Sequence, residues 1–118
     1  MLAMAQHQRL VGMLVGGFAH AVEQGGIDAA NMGHDVIMTP GGYCYFDSYQ
    51  ADPATQPLAI GGFLPIKKVY AYEPIPSMID SAKAKHVLGA QACLWTEYIP
   101  TTEHLEHMAF PRMLALSE

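Results

Sequence analysis

Two short segments of the chain each place an aromatic ring two residues before a carboxylate. Tyr45 precedes Asp47 in the first segment, and Trp95 precedes Glu97 in the second. Side chains at positions i and i+2 of an extended segment point to the same side, so each segment is expected to present one ring and one acid together. Both segments follow apolar runs that resemble buried strands, and ligands of α/β folds sit at the carboxyl ends of such strands.

A ring beside a carboxylate is chemistry that suits a sugar. The ring covers the apolar C–H face of a pyranose, and an ionised carboxylate accepts hydrogen bonds from hydroxyl groups, which are strengthened by the charge. The alternative is that Tyr45 and Trp95 are core rings, since buried aromatic side chains commonly dominate cores, and that both acids are solvated loop charges. The spacing alone leaves these two interpretations open.

Two other residue groups contain side chains that could serve metal or redox chemistry. His104 and His107 lie three residues apart on a predicted helix and could reach one metal ion, but the zinc-protease helix needs a spacing of four, so a solvated helix face is favoured. The two cysteines, Cys44 and Cys93, lack metal-ligand spacing. A single disulfide between them stays open, although small buried hydrophobic side chains are the favoured interpretation. We therefore expect no metal.

The elements that must position these residues follow an α/β rhythm. A short helix is predicted over Ile27–Met32, after the Gly25–Gly26 pair, with Gly33 as its C-terminal stop. The apolar run Asp35–Met38 and the longer run His86–Thr96 are typical of strands buried on both faces, as in parallel sheets. Helices alternating with such strands predict an α/β fold with a parallel sheet.

The remaining stretches carry weaker signals. They predict a helix within Met1–Gln24, although its glycines weaken that prediction, and a long loop from Pro40 to Leu64. They also predict an extended piece over Lys68–Tyr72 and a short helix over Ser77–Lys85. A last helix is expected to be capped by Thr101 or Thr102 and to be kinked or restarted at Pro111. We divide the chain into an N-terminal segment, residues 1–24, and a main domain, residues 25–118.

Composition excludes several classes of function. The chain has 118 residues, of which 51% are hydrophobic and only 14% charged, so disorder is not expected. A net charge of -5, with no basic run beyond two lysines, disfavours nucleic-acid binding. No apolar run is long enough to predict a membrane span, and the first residues do not resemble a signal peptide. The Gly-Gly pairs form no dinucleotide or phosphate loop, so we expect no cofactor.

Four motifs, taken in order, resemble glycoside hydrolase family 20, the β-N-acetylhexosaminidases. They are Gly33–Pro40 (GHDVIMTP) with Cys44–Gln50 (CYFDSYQ), then Leu64–Tyr70 (LPIKKVY), then Leu88–Tyr98 (LGAQACLWTEY), and finally Phe110–Arg112 (FPR) running on to Glu118. The resemblance covers about Gly25 to Glu118, and the segment before it matches poorly.

The resemblance implies a TIM barrel, of which this chain would form the later strands and helices. A complete barrel takes about 250 residues, so the barrel would be incomplete here. It also implies cleavage of terminal non-reducing N-acetyl-D-hexosamine residues by a substrate-assisted retaining mechanism, in which the acetamido oxygen of the sugar attacks the anomeric carbon. Members of the family are often periplasmic, secreted or lysosomal, and the sequence leaves the compartment open.

Carried over by motif, four residues receive roles. Tyr45 matches the tyrosine that bonds the acetamido oxygen and stabilises the oxazolinium intermediate, and Trp95 matches the tryptophan that walls the acetamido pocket. Asp47 and Glu97 match acids that hold sugar hydroxyl groups, Glu97 on the O4 side. They are therefore expected to bind substrate rather than to act as an acid and a nucleophile.

The chain also departs from the family pattern. The adjacent Asp-Glu couple that supplies the general acid is absent, because no Asp-Glu dipeptide occurs in the sequence. The chain is therefore expected to be a fragment of the enzyme that is inactive alone and binds an N-acetylhexosamine-terminated glycan. Open strand edges would favour self-association. The alternative is a sugar-binding or assembly module without catalysis.

Overall fold

The structure, a computed structural model, describes residues 12–13 and 19–118, with side chains from residue 23 onward. Its strands are β1 (Gly12–Met13), β2 (Val36–Met38), β3 (Ser48–Tyr49), β4 (Gly61–Phe63) and β5 (Val87–Ala90). Its α-helices are α1 (Ala19–Asn31), α2 (Gly41–Cys44), α3 (Ile66–Tyr70), α4 (Thr102–Ala109) and α5 (Arg112–Ser117). Single 3-10 turns lie at Pro53–Thr55 and Ala84–His86.

The main sheet is parallel and has the order β1-β2-β5. Strand β2 lies in the middle, with Val36 opposite Val87 and Met38 opposite Ala90. Val36 and Met38 are buried, as expected of a strand that other elements cover. A second small sheet pairs β3 with β4, also in parallel. The predicted α/β fold with parallel strands is confirmed, and among the described residues the strands do not close into a barrel.

Two groups of buried side chains form the core. One lies between α1 and β2 and contains Ile27, Ala30, Val36, Met38 and Ile79. The other contains Phe46, Leu64 and Val69, with the α5 residues Ala115 and Leu116 packed against it. This second group supports the loop that carries Asp47, so the core and the candidate site share one wall.

Helix α1 begins earlier than the sequence predicts. The prediction placed the start at Ile27, after the Gly25–Gly26 pair, but the helix runs through both glycines from Ala19. Gly26 serves packing within this helix, because a Cβ at that position would lie 2.6 Å from the sulfur of the buried Met38. Glycine at this position lets the helix approach β2 closely. The helix predicted over Met1–Gln24 lies mostly outside the described residues, and within it Gly12–Met13 form a strand.

Three other predicted elements are wrong. Lys68–Tyr72 is not extended, since Ile66–Tyr70 form helix α3 after Pro65, whose fixed φ suits a helix start, and Val69 faces the core. Ser77–Lys85 forms turns rather than a helix and ends in the Ala84–His86 3-10 turn. The strand predicted over His86–Thr96 is shorter and covers only Val87–Ala90.

The C-terminal helices follow their sequence signals. The Thr101 hydroxyl accepts a hydrogen bond from the His104 amide at 3.2 Å, which confirms the predicted cap of α4. Pro111 ends the first helical pattern, and α5 begins at the next residue, Arg112. In the part of the chain that the structure describes, no helix is both long enough and apolar enough to cross a membrane.

We expect the Asn31 side chain to determine the stability of the loop that follows α3. Its amide donates to the Met78 carbonyl at 3.0 Å, and its oxygen accepts from the Asp80 amide at 2.9 Å. Replacing Asn31 by Ala removes both bonds and is expected to lower the free energy of unfolding by about 1–2 kcal/mol in urea denaturation.

The matched control is Gln24→Ala, in the same helix. Its side chain bonds only the exposed Asp28 four residues away, so we expect a change within about 0.5 kcal/mol. Equal losses in the two variants would contradict the proposed role of Asn31.

Candidate functional site

The four predicted site residues lie on two segments that run side by side. Tyr45 forms an isolated parallel bridge with Cys93. The Phe46 amide donates to the Cys93 carbonyl, and the Cys93 amide donates to the Cys44 carbonyl, both at 2.8 Å. This pairing brings the stretch that carries Tyr45 and Asp47 next to the stretch that carries Trp95 and Glu97.

The local backbone differs from the prediction. The predicted arrangement placed each ring and acid on one extended strand end, but β2 ends at Met38 and helix α2 separates it from Tyr45. Asp47 sits in a turn, and Trp95 lies in irregular chain after the bridge. Pairing between the two segments, rather than strand alternation, therefore brings the rings and acids together.

All four side chains line one pocket of about 830 Å³. Asp47 is 7% exposed, whereas the Trp95 ring is 47% exposed and Glu97 is open to solvent. The pocket is thus closed at the Asp47 end and wide at the Trp95 end. Its volume lies in the range of small-molecule sites.

A further part of the pocket wall, which pairs with β3 beside Asp47, was not predicted from the sequence. It is formed by β4 and its neighbours, including Gly61, Gly62 and Leu64, within what the sequence indicated only as a long loop. Gly62 has a φ of +69°, and a Cβ there would lie 2.6 Å from the Ser48 hydroxyl. The Gly-Gly pair was the available signal, since it marks backbone that other residues cannot adopt.

A lysine also lines the pocket and was not predicted. The Lys68 ammonium lies 5.3 Å from the centroid of the Tyr43 ring, and Tyr43 stacks on Tyr72 with centroids 4.9 Å apart. The ammonium is therefore placed by a cation–π contact rather than left free in solvent.

The electrostatics of the closed end centre on Asp47. Burial raises the pKa of this carboxyl above its ordinary value, and the nearby Glu97 raises the pKa further. The backbone amide of Asp47 itself and the Arg112 guanidinium act in the opposite direction and lower the pKa. Its Oδ1 is buried without a hydrogen-bond partner among the described residues.

Arg112 is the second residue that sequence analysis missed. Its side chain is fully buried, and its guanidinium donates to four backbone carbonyls. Nη1 reaches Ser48 at 3.0 Å and Leu64 at 3.1 Å, while Nη2 reaches Phe46 and, at 2.7 Å, Met108. The group also lies 4.9 Å from the centroid of the Phe46 ring. The available signal was a lone cation at the start of an apolar helix, RMLALS.

Arg112 keeps its charge despite burial. Desolvation lowers the pKa of its guanidinium to about 10, and the Asp47 carboxylate partly opposes this effect. Because this pKa stays well above neutral pH, a cation is held directly behind the pocket wall.

The weaker candidates are placed as follows. Cys44 and Cys93 are buried and carry free thiols, so no disulfide joins them, and burial raises the pKa of Cys44 to about 12. His107 pairs through Nε2 with the Gln56 side chain at 3.0 Å. Residues 12–13 and 19–118 contain no group of three or more His, Cys, Asp or Glu side chains suited to a metal ion.

Comparison with known proteins identifies the family. The model of "Glycosyl hydrolase family 20, catalytic domain" matches residues 9–118, beginning well before Gly25. The chain belongs to glycosyl hydrolase family 20. It is 50% identical to a beta-hexosaminidase of Porphyromonas gingivalis over an alignment of 122 residues that covers 94% of this chain and 16% of that protein. It is 32% identical to a beta-hexosaminidase of Vibrio furnissii, covering 80% of this chain and 16% of the relative.

Solved structures of glycosyl hydrolase family 20 resemble the chain as well. The β-N-acetylhexosaminidase of Streptomyces coelicolor superposes with a TM-score of 0.68 at 27% identity, covering 85% of this chain and 20% of that one. The exo-β-N-acetylglucosaminidase of Vibrio harveyi, solved with N-acetylglucosamine, superposes with a TM-score of 0.65 at 32% identity, covering 81% and 15%. The chain therefore spans about a sixth of the length of the family-20 relatives above and a similar share of these structures.

The close approach of Gly62 to Ser48 predicts how the wall responds to substitution. Gly62→Ala places a methyl group both at a positive φ and against the Ser48 side chain. We expect this variant to lower the free energy of unfolding by about 2 kcal/mol in thermal or urea denaturation. The loss is expected to be smaller in a Ser48→Gly background, and an equal loss in both backgrounds would show that the contact with Ser48 does not contribute.

Proposed function

We propose that this chain forms the sugar-holding wall of a β-N-acetylhexosaminidase that removes terminal non-reducing N-acetyl-D-hexosamine residues. The observation that carries the proposal is that Tyr45, Asp47, Trp95 and Glu97, two rings and two acids, line one pocket. Family membership supports the substrate class, because the relatives that the chain matches are beta-hexosaminidases.

The proposed pose puts one face of the pyranose on the exposed Trp95 ring. Stacking there removes apolar C–H groups and indole surface from water together. The Tyr45 hydroxyl donates to the acetamido oxygen, while the Asp47 and Glu97 carboxylates accept from sugar hydroxyl groups, Glu97 from the O4 side. These are charge-assisted hydrogen bonds, which are stronger than neutral ones.

In the proposed mechanism the sugar supplies its own nucleophile. The acetamido oxygen attacks the anomeric carbon, the bond to the leaving group breaks, and a cyclic oxazolinium forms with retention after water attack. Positive charge develops on the acetamido group, whose carbonyl oxygen becomes part of the new ring. The Tyr45 hydroxyl holds that oxygen in line for attack and so fixes the geometry of ring closure.

The general acid of this mechanism is not among the 118 residues, since they contain no Asp-Glu dipeptide. We propose that the parallel β1-β2-β5 sheet is part of a TIM barrel, with the acid contributed by a barrel strand outside these residues. The chain on its own is then a sugar-binding piece without turnover. Association of two copies through unpaired strand edges is part of the same proposal.

The binding test uses Trp95 as a natural probe, because it is the single tryptophan of the chain and lines the pocket. Titration of the 118-residue chain with N-acetylglucosamine is expected to change its fluorescence with a millimolar or tighter Kd. Glucose, which lacks the acetamido group, is expected to bind more weakly. No response to N-acetylglucosamine, by fluorescence or by calorimetry, would overturn the proposed pocket.

The role of Tyr45 is tested by removing its hydroxyl group. Tyr45→Phe keeps the ring but removes the donor to the acetamido oxygen, so the Kd for N-acetylglucosamine is expected to rise about 3- to 10-fold while that for glucose is unchanged. Tyr70→Phe is the matched control, since Tyr70 is 65% exposed outside the pocket. A similar rise in the Kd for both sugars would contradict the proposed contact between Tyr45 and the acetamido group.

The absence of the acid is tested separately with a chromogenic N-acetylglucosaminide. The 118-residue chain is expected to bind it without releasing the chromophore. Robust hydrolysis by the chain would contradict the view that the acid comes from elsewhere, and binding of neither sugar nor substrate would instead favour an assembly module.

A further inference from the structure

We infer that Arg112 is a positioning residue for the sugar pocket, which fixes Asp47 from behind by bonding the backbone on both of its sides and joining it to the end of β4 and to α4. The inference rests on the proposed function for its ligand but on independent geometry for its mechanism. Arg112 lies outside the pocket and touches no part of the proposed sugar pose.

The first step is the pattern of acceptors around Asp47. The guanidinium of Arg112 donates hydrogen bonds to the carbonyls of the two residues that flank Asp47. Nη2 bonds the Phe46 carbonyl, and Nη1 bonds the Ser48 carbonyl. Hydrogen bonds to the carbonyls of both flanking residues restrict rotation of the backbone at Asp47. The Asp47 carboxyl is thereby aimed into the pocket by a group that it does not itself contact through a hydrogen bond.

The second step is that the same group also bonds the end of β4. Nη1 of Arg112 donates to the Leu64 carbonyl, directly after β4, and Leu64 lines the pocket. The Met108 carbonyl of α4 completes the set. Pairing of β3 with β4 already places the Asp47 turn beside β4, and the planar fork joins both segments to α4 and α5, which a flexible ammonium could not do for so many acceptors.

The third step is energetic. A fully buried cation is costly to desolvate, and replacement of buried charges by apolar groups of similar size is often neutral or stabilising. Stability alone therefore does not favour an arginine here over a methionine. Fixing three backbone carbonyls around a binding carboxylate is a function that only the guanidinium can serve.

The fourth step is the charge that Arg112 places near Asp47. Burial and Glu97 raise the pKa of Asp47, whereas the Arg112 cation lowers it. The buried Cys93 thiol faces the same carboxyl, and its own pKa is raised by burial and by Asp47. Lys68 also lines the pocket. Because sugar binding uses the carboxylate form, affinity falls as pH drops through the Asp47 pKa, and loss of the Arg112 charge moves that fall to higher pH.

The experiment compares Arg112→Met, Arg112→Lys and the exposed control Lys67→Met in the 118-residue chain. The Kd for N-acetylglucosamine is measured by Trp95 fluorescence across pH, and the Asp47 carboxyl is titrated by carbon-13 NMR without ligand. Thermal unfolding of each variant separates loss of fold from loss of site.

Arg112→Met is expected to weaken binding about 10-fold at neutral pH and to move the Asp47 midpoint upward. Arg112→Lys, which keeps the charge but not the fork, is expected to weaken binding while leaving that midpoint near its original value. Lys67→Met is expected to change neither quantity.

A purely structural role predicts a lower Tm with unchanged affinity and unchanged Asp47 titration in the folded protein, and that result overturns the inference. If Arg112→Met does not fold, Arg112→Lys decides, because unaltered affinity there contradicts the need for the fork. If the unmodified chain binds no N-acetylglucosamine, the proposed function fails, whereas the ligand-free Asp47 titration still tests the effect of Arg112.

Discussion

One buried guanidinium determines how the site is held. Three segments meet behind the pocket wall, namely the turn at Asp47, the end of β4, and the helices at the C-terminus. These segments are far apart in sequence and are joined at Arg112, whose hydrogen bonds all end on backbone carbonyls. Since carbonyl acceptors do not depend on side-chain rotamers, the constraint acts on the path of the backbone itself. The shape of the pocket follows from that path.

The pocket has a buried carboxyl group at one end and an exposed aromatic ring at the other. Its closed end holds a carboxyl that burial makes costly to ionise, with a cation behind it that offsets part of the cost. Its open end presents the Trp95 ring to solvent. A polar ring with an apolar face, as in a pyranose, has the chemistry that matches both ends. The family that the chain belongs to acts on that class of molecule, so geometry and ancestry agree.

The parts of the fold that depend on local sequence patterns could be predicted from the sequence. The continuous apolar run around Val36 indicated a strand covered on both faces, and the Thr101 and Pro111 signals placed α4 and α5. The ring and acid pairs indicated four residues that line one pocket, although the predicted reason, alternation along two strands, was wrong. Pairing of Tyr45 with Cys93 brings them together, and such pairing depends on contacts far apart in sequence.

What escaped prediction depended on tertiary structure. Lys68–Tyr72 was predicted to be extended, but Ile66–Tyr70 form helix α3 after Pro65, and Val69 packs into the core. The part of the pocket wall formed by β4 lies in a stretch of sequence without the hydrophobic periodicity of a strand, so it was not predicted. Arg112 could not be assigned a role, because nothing in a sequence shows which carbonyls a cation will meet.

The central claim is that the two rings and two acids bind an acetylated amino sugar in one pose. The most direct measurement is the set of intermolecular nuclear Overhauser effects between N-acetylglucosamine and the 118-residue chain. The account predicts that the acetamido methyl protons show effects to both the Trp95 indole and the Tyr45 ring. Effects to the exposed Tyr70 instead, or to Trp95 alone with none to Tyr45, would contradict it.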